Sequence, residues 1–152
     1  ELFISIKNLN VKLNYVFHFI GPIEKKIKRD NIKYYGPLNN YDDIRKILDY
    51  SDVLLLPSYS EGMPNVILEA MSRGLLIIAT DVGAVNLMVN DDNGILIKSP
   101  SPVLIQEAME KVLKMDNEDI IKMKMNSIKK INARLNWDKV ISFTIQQISN
   151  IK

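Results

Sequence analysis

Three short runs, "VLLLPS" (Val53 to Ser58), "LLIIAT" (Leu75 to Thr80) and "GILIK" (Gly94 to Lys98), carry no polar alternation. A strand with one face in water alternates. An unbroken apolar run of this length suits a strand buried on both faces, the habit of parallel sheets. A helix or a structured loop separates each run from the next. Strands alternating with helices give right-handed βαβ units, hence a Rossmann-like, doubly wound α/β fold around a parallel sheet.

The flanking segments fit this reading. "YVFHFIG" (Tyr15 to Gly21) is β-branched and aromatic and stops at Gly21-Pro22; "NIKYYG" (Asn31 to Gly36) stops at Gly36-Pro37. Both read as strands, with "EKKIKRD" a solvated connection between them. "NNYDDIRKILDYSD" opens on cap-type residues and sets Ile44, Ile47 and Leu48 on one helical face. Leu2, Phe3, Ile6, Leu9 and Leu13 are spaced for a first helix. Three more helices are expected near the end: one from Ser101-Pro102, one over 117–135, and one from Asn136 onward. With no repeat, low-complexity stretch or linker, residues 1–152 form one domain.

Composition narrows the function. Net charge is +2, too near balance for a large nucleic-acid face, so no nucleic-acid partner is expected. The absence of cysteine excludes disulfides and thiolate metal sites, and one histidine excludes a histidine-rich centre. No apolar run is long enough for a membrane helix, and no signal-peptide pattern is present. The expected location is cytoplasmic. The basic segment with Lys122, Lys124, Lys129 and Lys130 reads as a solvated face, or alternatively as peripheral contact with the inner face of an anionic membrane.

"SYSEGMPNVILEAMSRG" (Ser58 to Gly74) holds acids on both sides of a helix start. Pro64 suits the first helical position and Gly74 the end, predicting a helix from about Pro64 to Arg73. Its N-terminal N–H groups would lie over the carboxyl end of the sheet, where open α/β sheets bind ligands. A helix start there is an anion site suited to phosphate. Gly62 would let a ligand approach the backbone closely. Helical side chains tilt toward the N-terminus, so Glu69 would lean back toward the Glu61 loop. Carboxylates repel phosphate but accept hydrogen bonds from vicinal hydroxyls on either side of it. Hydroxyls flanking a diphosphate describe a nucleotide sugar. A bland reading stands beside this one: Glu69 pairs with Arg73 at i,i+4 in a solvated stripe, and Glu61 sits in an exposed turn.

The stretch "LLLPSYSEGMPNVILEAMSRGLLIIATDVGA" resembles the nucleotide-binding domain of retaining glycosyltransferases of GT-B architecture, in the glycosyl transferases group 1 family, or family 4. The matching residues are Pro57-Ser58, Glu61, Glu69-Ala70-Met71, Gly74 and the run to Thr80. "FHFIG", "IKYYGPL", "NGILI" and "LNWDKVISFTIQQI" match further blocks in order. The resemblance implies that Glu69 binds the ribose hydroxyls. It makes Glu61 the catalytic-site residue on the donor sugar. Gly62, Met63 and Pro64 would border the diphosphate, and backbone N–H groups near Asn65 and Val66 would hold it. Tyr35, Gly36 and Leu38 would form the base-binding edge, unless the Tyr35 ring is core. Gly21 would border the cleft, and His18 would be packed within its strand. The implied partners are a nucleotide diphosphate sugar as substrate and an N-terminal acceptor-binding domain absent from this chain. No cofactor and no metal are implied.

Three features depart from the family pattern. The Arg and Lys near the domain's first strand have no match, as in a chain lacking that strand. "GAVNL" (Gly83 to Leu87) places Leu87 where the family has Glu. Leu75-Leu76 stands where a proline is common. Two other functions stay open: a nucleotide-sugar 2-epimerase of the same architecture, which needs more histidines, and a non-catalytic binding or scaffold domain, which Leu87 favours.

Overall fold

The computed structural model describes residues 5–6, 15–24, 26–135, 141–142, 145–146 and 149. Five parallel strands are present among them: β1 Phe17–Ile20, β2 Ile32–Gly36, β3 Val53–Leu56, β4 Leu76–Thr80 and β5 Gly94–Ile97. The helices are α1 Tyr41–Asp49, α2 Asn65–Ser72, α3 Val85–Met88, α4 Pro102–Leu113 and α5 Asn117–Lys130, the last continuing as a π turn, Ile131–Leu135. The expected first and last helices fall largely outside the described residues, as does the Asn136 cap; Ser5 and Ile6 are helical. The short α3 was not expected from the sequence.

The apolar runs behave as strands between two helical layers. One face sends Val53, Leu55, Leu76, Ile78 and Ile97 into a core with Ile105, Ala108, Met109 and Val112 of α4. The other sends Leu54, Leu56, Ile77 and Ala79 against Ile67, Ala70 and Met71 of α2, Leu48 of α1 and Val85 and Met88 of α3. Helices on both faces make the fold doubly wound, as read from the sequence. Burial is uneven. Every residue of β4 is buried, whereas β3 is only half-buried throughout. The reason is pairing: β4 lies between β3 and β5, and β3 has no second neighbour among the described residues.

The sheet is in two pieces, β1-β2 and β3-β4-β5. Both feed one core, since Phe17, Phe19 and Ile32 pack with Leu76 and Ile78. Local signals read correctly at several helix ends. Asn40 caps α1 by accepting from the Asp42 N–H (2.9 Å), and Ser101 caps α4 with Pro102 in its first turn. Gly74 ends α2 at φ +72°, with the Leu75 N–H returning to Ala70 O at 3.0 Å. One boundary is corrected. α2 starts at Asn65, and Pro64 is its N-cap, with an extended ψ of 113°.

Candidate functional site

The register Leu56↔Ala79 sets the exits of β3 and β4 side by side. From β3 the chain runs through the loop 57–64 into α2. From β4 it turns through Asp81-Val82-Gly83-Ala84 into α3. The two exits touch: the Ala84 N–H donates to Gly62 O at 2.8 Å. Glu61, Gly62, Met63, Pro64, Asn65 and Val66 are therefore brought together at the carboxyl end of the three-stranded sheet, with Glu69 on the following turn of α2. Gly62 and Met63 are exposed, Asn65 is exposed, and Glu61, Val66 and Glu69 are half-buried. A Cβ on Gly62 would meet nothing within 4 Å, so the space beside that backbone is open.

The start of α2 carries unused donors. Ile67 N–H already returns to Pro64 O at 3.1 Å. The Asn65 and Val66 amides lie in the first turn, where no intrahelical acceptor exists, and no side chain caps them. These N–H groups and the positive end of the helix dipole favour an anion.

The two carboxylates are also unused. Among the described residues neither Glu61 nor Glu69 has a side-chain hydrogen bond or ion pair. The i,i+4 pair expected under the bland reading does not form. Arg73 turns instead to Asp49 at the end of α1, with Nη1 to Oδ1 at 3.5 Å. Tertiary packing brings Asp49 within reach of Arg73 and leaves Glu69 without that partner.

A second group sits at the carboxyl end of the β1-β2 pair. Gly21 N–H bonds Gly36 O at 2.8 Å, and a cleft of about 320 Å³ opens there, lined by Gly21, Pro22, Lys26, Tyr34, Gly36 and Pro37. Leu38 does not line it. Tyr35 is neither core nor part of this cleft. The residue is 38% exposed; its ring stacks on His18 with centroids 5.7 Å apart, and its hydroxyl bonds His18 Nδ1 at 2.8 Å. The parity of β2 explains this: Tyr34 faces the core, so its neighbour faces outward. Burial, and then the nearby Lys33 ammonium, lower the His18 pKa below the usual imidazole value.

The sequence marked "GAVNL" as a family loop through its resemblance, but nothing in it placed the turn Asp81–Ala84 against the Glu61 loop. Leu87 is 69% exposed on α3. Among the described residues no three His, Asp or Glu side chains gather as a metal site, and no helix is long and apolar enough to cross a membrane.

Known proteins resemble this chain. A family model for glycosyl transferases group 1 matches residues 11–132. A glycosyltransferase assigned to teichuronic acid biosynthesis in Bacillus subtilis is 34% identical over 109 residues, which is 72% of this chain and 28% of that protein. The Escherichia coli UDP-Gal:α-D-GlcNAc-diphosphoundecaprenol α-1,3-galactosyltransferase is 48% identical over 58 residues, 38% of this chain and 15% of that one. Among solved structures, Anabaena HepE in complex with UDP superposes with a TM-score of 0.70 at 18% identity, over 80% of this chain and 33% of that one. At that identity the likeness is one of fold. The chain spans about a third or less of each of these proteins.

Proposed function

Because the chain belongs to the glycosyl transferases group 1 family, we propose that it is the donor-binding domain of a retaining, GT-B hexosyltransferase. Its substrate would be a nucleotide diphosphate sugar, and a hydroxyl on a polysaccharide or glycolipid would be the acceptor. The observation that carries this reading is a pair of half-buried carboxylates, without a partner among the described residues, beside the open start of α2. The Asn65 and Val66 amides hold the diphosphate. Glu69 accepts from the ribose hydroxyls. Glu61 accepts from hydroxyls of the sugar. The backbone of Tyr35, Gly36 and Leu38 forms the base edge, and Gly21 borders the cleft.

In this reading the acceptor oxygen attacks the anomeric carbon as the bond to the diphosphate breaks. The acceptor proton passes to the departing phosphate oxygen on the same face, so no protein nucleophile is required. Catalysis rests on positioning and on stabilising the leaving group. No metal or cofactor is proposed. The acidic pairs lie elsewhere: Asp42-Asp43 in the first turn of α1 and Asp91-Asp92 in the turn before β5. The acceptor would bind a separate N-terminal domain, and the enzyme would act in the cytoplasm, with peripheral membrane contact as a variant.

The test is transfer of radiolabelled sugar by the full-length protein from a panel of nucleotide sugars, beside calorimetric titration with magnesium or with chelator. Transfer in the presence of chelator is expected. Binding without transfer would favour the non-catalytic reading that exposed Leu87 supports. Strict metal dependence would count against the mechanism.

A further inference from the structure

The turn that leaves β4 is firmly held. Asp81 N–H bonds Ile97 O on β5 at 2.9 Å, Val82 N–H bonds Thr80 O at 2.9 Å, and Val85 and Met88 just beyond are fully buried. Gly83 sits in this turn at φ +57°, a conformation that side chains resist. Space excludes a side chain as well. A Cβ built on Gly83 would overlap the carbonyl oxygen of Glu61 and lie 2.6 Å from that of Gly62. Gly62 O also accepts from Ala84 N–H at 2.8 Å. Two successive loop carbonyls therefore rest on the turn.

Those carbonyls belong to the peptide planes on either side of Gly62. Fixing them fixes φ and ψ of Gly62 and, through the preceding peptide plane, the position of the Glu61 Cα from which its side chain departs. The Glu61 carboxylate has no partner among the described residues, so its aim depends on this backbone. We propose that Gly83, with the Ala84 amide, is a positioning residue that aims Glu61 at the donor sugar. The inference rests on the reading that Glu61 contacts that sugar.

The experiment uses the full-length protein and the variants Gly83→Ala, Ala84→Pro, Glu61→Ala and Gly83→Ala/Glu61→Ala. Ala84→Pro removes the N–H donor without placing a Cβ at position 83, and it replaces Gly83→Ala if that variant fails to fold. Amide exchange reports the loop, and calorimetric titration with UDP and UDP-glucose reports the site. In Gly83→Ala, exchange over Glu61–Met63 should quicken while β4 stays protected. UDP affinity should hold within about twofold, and UDP-glucose affinity should fall to the level of Glu61→Ala, with the double variant within about twofold of either single one, as coupled sites require. Unchanged loop exchange, full UDP-glucose affinity or additive losses would each overturn the proposal. If Glu61→Ala binds UDP-glucose as the wild type does, the sugar-contact reading fails with the aiming role, and faster exchange would still establish the clamp. If the wild type binds neither probe, exchange alone decides.

Discussion

The two ends of the three-stranded sheet share the same strands and the same apolar layers, yet they treat their polar groups in opposite ways. At the amino end, α5 reaches the residue before β3, the residue before β4 and the turn before β5. Lys124 Nζ meets Asp52 at 2.7 Å, Ser127 Oγ donates to Leu75 O at 2.8 Å, and Asn126 Nδ2 donates to Asp92 O at 3.0 Å. Buried Asn93 completes the set, donating to Met88 O and accepting from the Asn90 N–H. At the carboxyl end, Glu61, Glu69 and the amides of Asn65 and Val66 have no described partner. A polar group already bonded within the chain contributes stability and has little left for a ligand. One left open contributes little stability and awaits one. The contrast predicts that substitutions at the two ends separate stability from binding.

The largest effect is expected at Glu69. Glu69→Ala removes two charge-assisted hydrogen bonds to a ribose diol, worth at most about 1.5–3 kcal/mol each. Nucleotide affinity should therefore fall on the order of tenfold to several hundredfold by calorimetry. Stability should barely move, because Arg73 keeps its Asp49 partner. A 2′,3′-dideoxy nucleotide should bind the wild type weakly and be nearly indifferent to the substitution. Equal affinity of wild type and Glu69→Ala for the normal nucleotide would remove the contrast between the two ends.

Ser127→Ala should do the reverse. Both Ser127 and the Leu75 carbonyl it serves are buried. Leaving that oxygen unpaired costs about 1–3 kcal/mol, read as a lower midpoint in urea, with nucleotide affinity unchanged. A loss of affinity matching the loss of stability would mean that the two ends are coupled. Lys124→Ala should cost less, about 0.2–1 kcal/mol, since Asp52 is 77% exposed at its side chain. That smaller loss should shrink in high salt, as screening of an exposed pair requires.

The legible and illegible parts of the molecule divide by distance along the chain. The strands of the three-stranded sheet were legible because an apolar run without alternation has few other uses. The Asn40 and Ser101 caps were legible because each acts within three residues. Pro64 was misplaced by one position, since a proline lacks the N–H at N-cap and at the first helical residue alike. The Arg73 partner was misread because Asp49 lies on another helix. The α5 contacts span 72, 52 and 34 residues and leave no local pattern. Gly83 was visible as the start of a family loop, without the contact it makes. What made it necessary, the approach of the Glu61 carbonyl, exists only once two strand exits are adjacent.

The smallest effect expected concerns whether the β1-β2 end belongs with the open carboxyl end. There the outward polar groups are already satisfied by each other, with Tyr35 bonded to His18. His18 is the sole histidine, so its imidazole proton resonance is unambiguous. Burial and then Lys33 lower its pKa, so its titration midpoint should fall below about 6.5, the ordinary value. A depressed imidazole favours folding in its neutral form. Its contribution is full above the ordinary value and is lost as pH falls through the lowered one. Lys33→Gln should raise the midpoint by removing the neighbouring charge, and added salt should do the same in the wild type. If the base of a nucleotide lies along Gly36 to Leu38, UDP should shift the His18 resonance through Tyr35, while resonances of α5 at the amino end stay still. A His18 resonance unmoved by saturating UDP would take Tyr35 out of the base edge and leave the binding end to β3 and β4 alone.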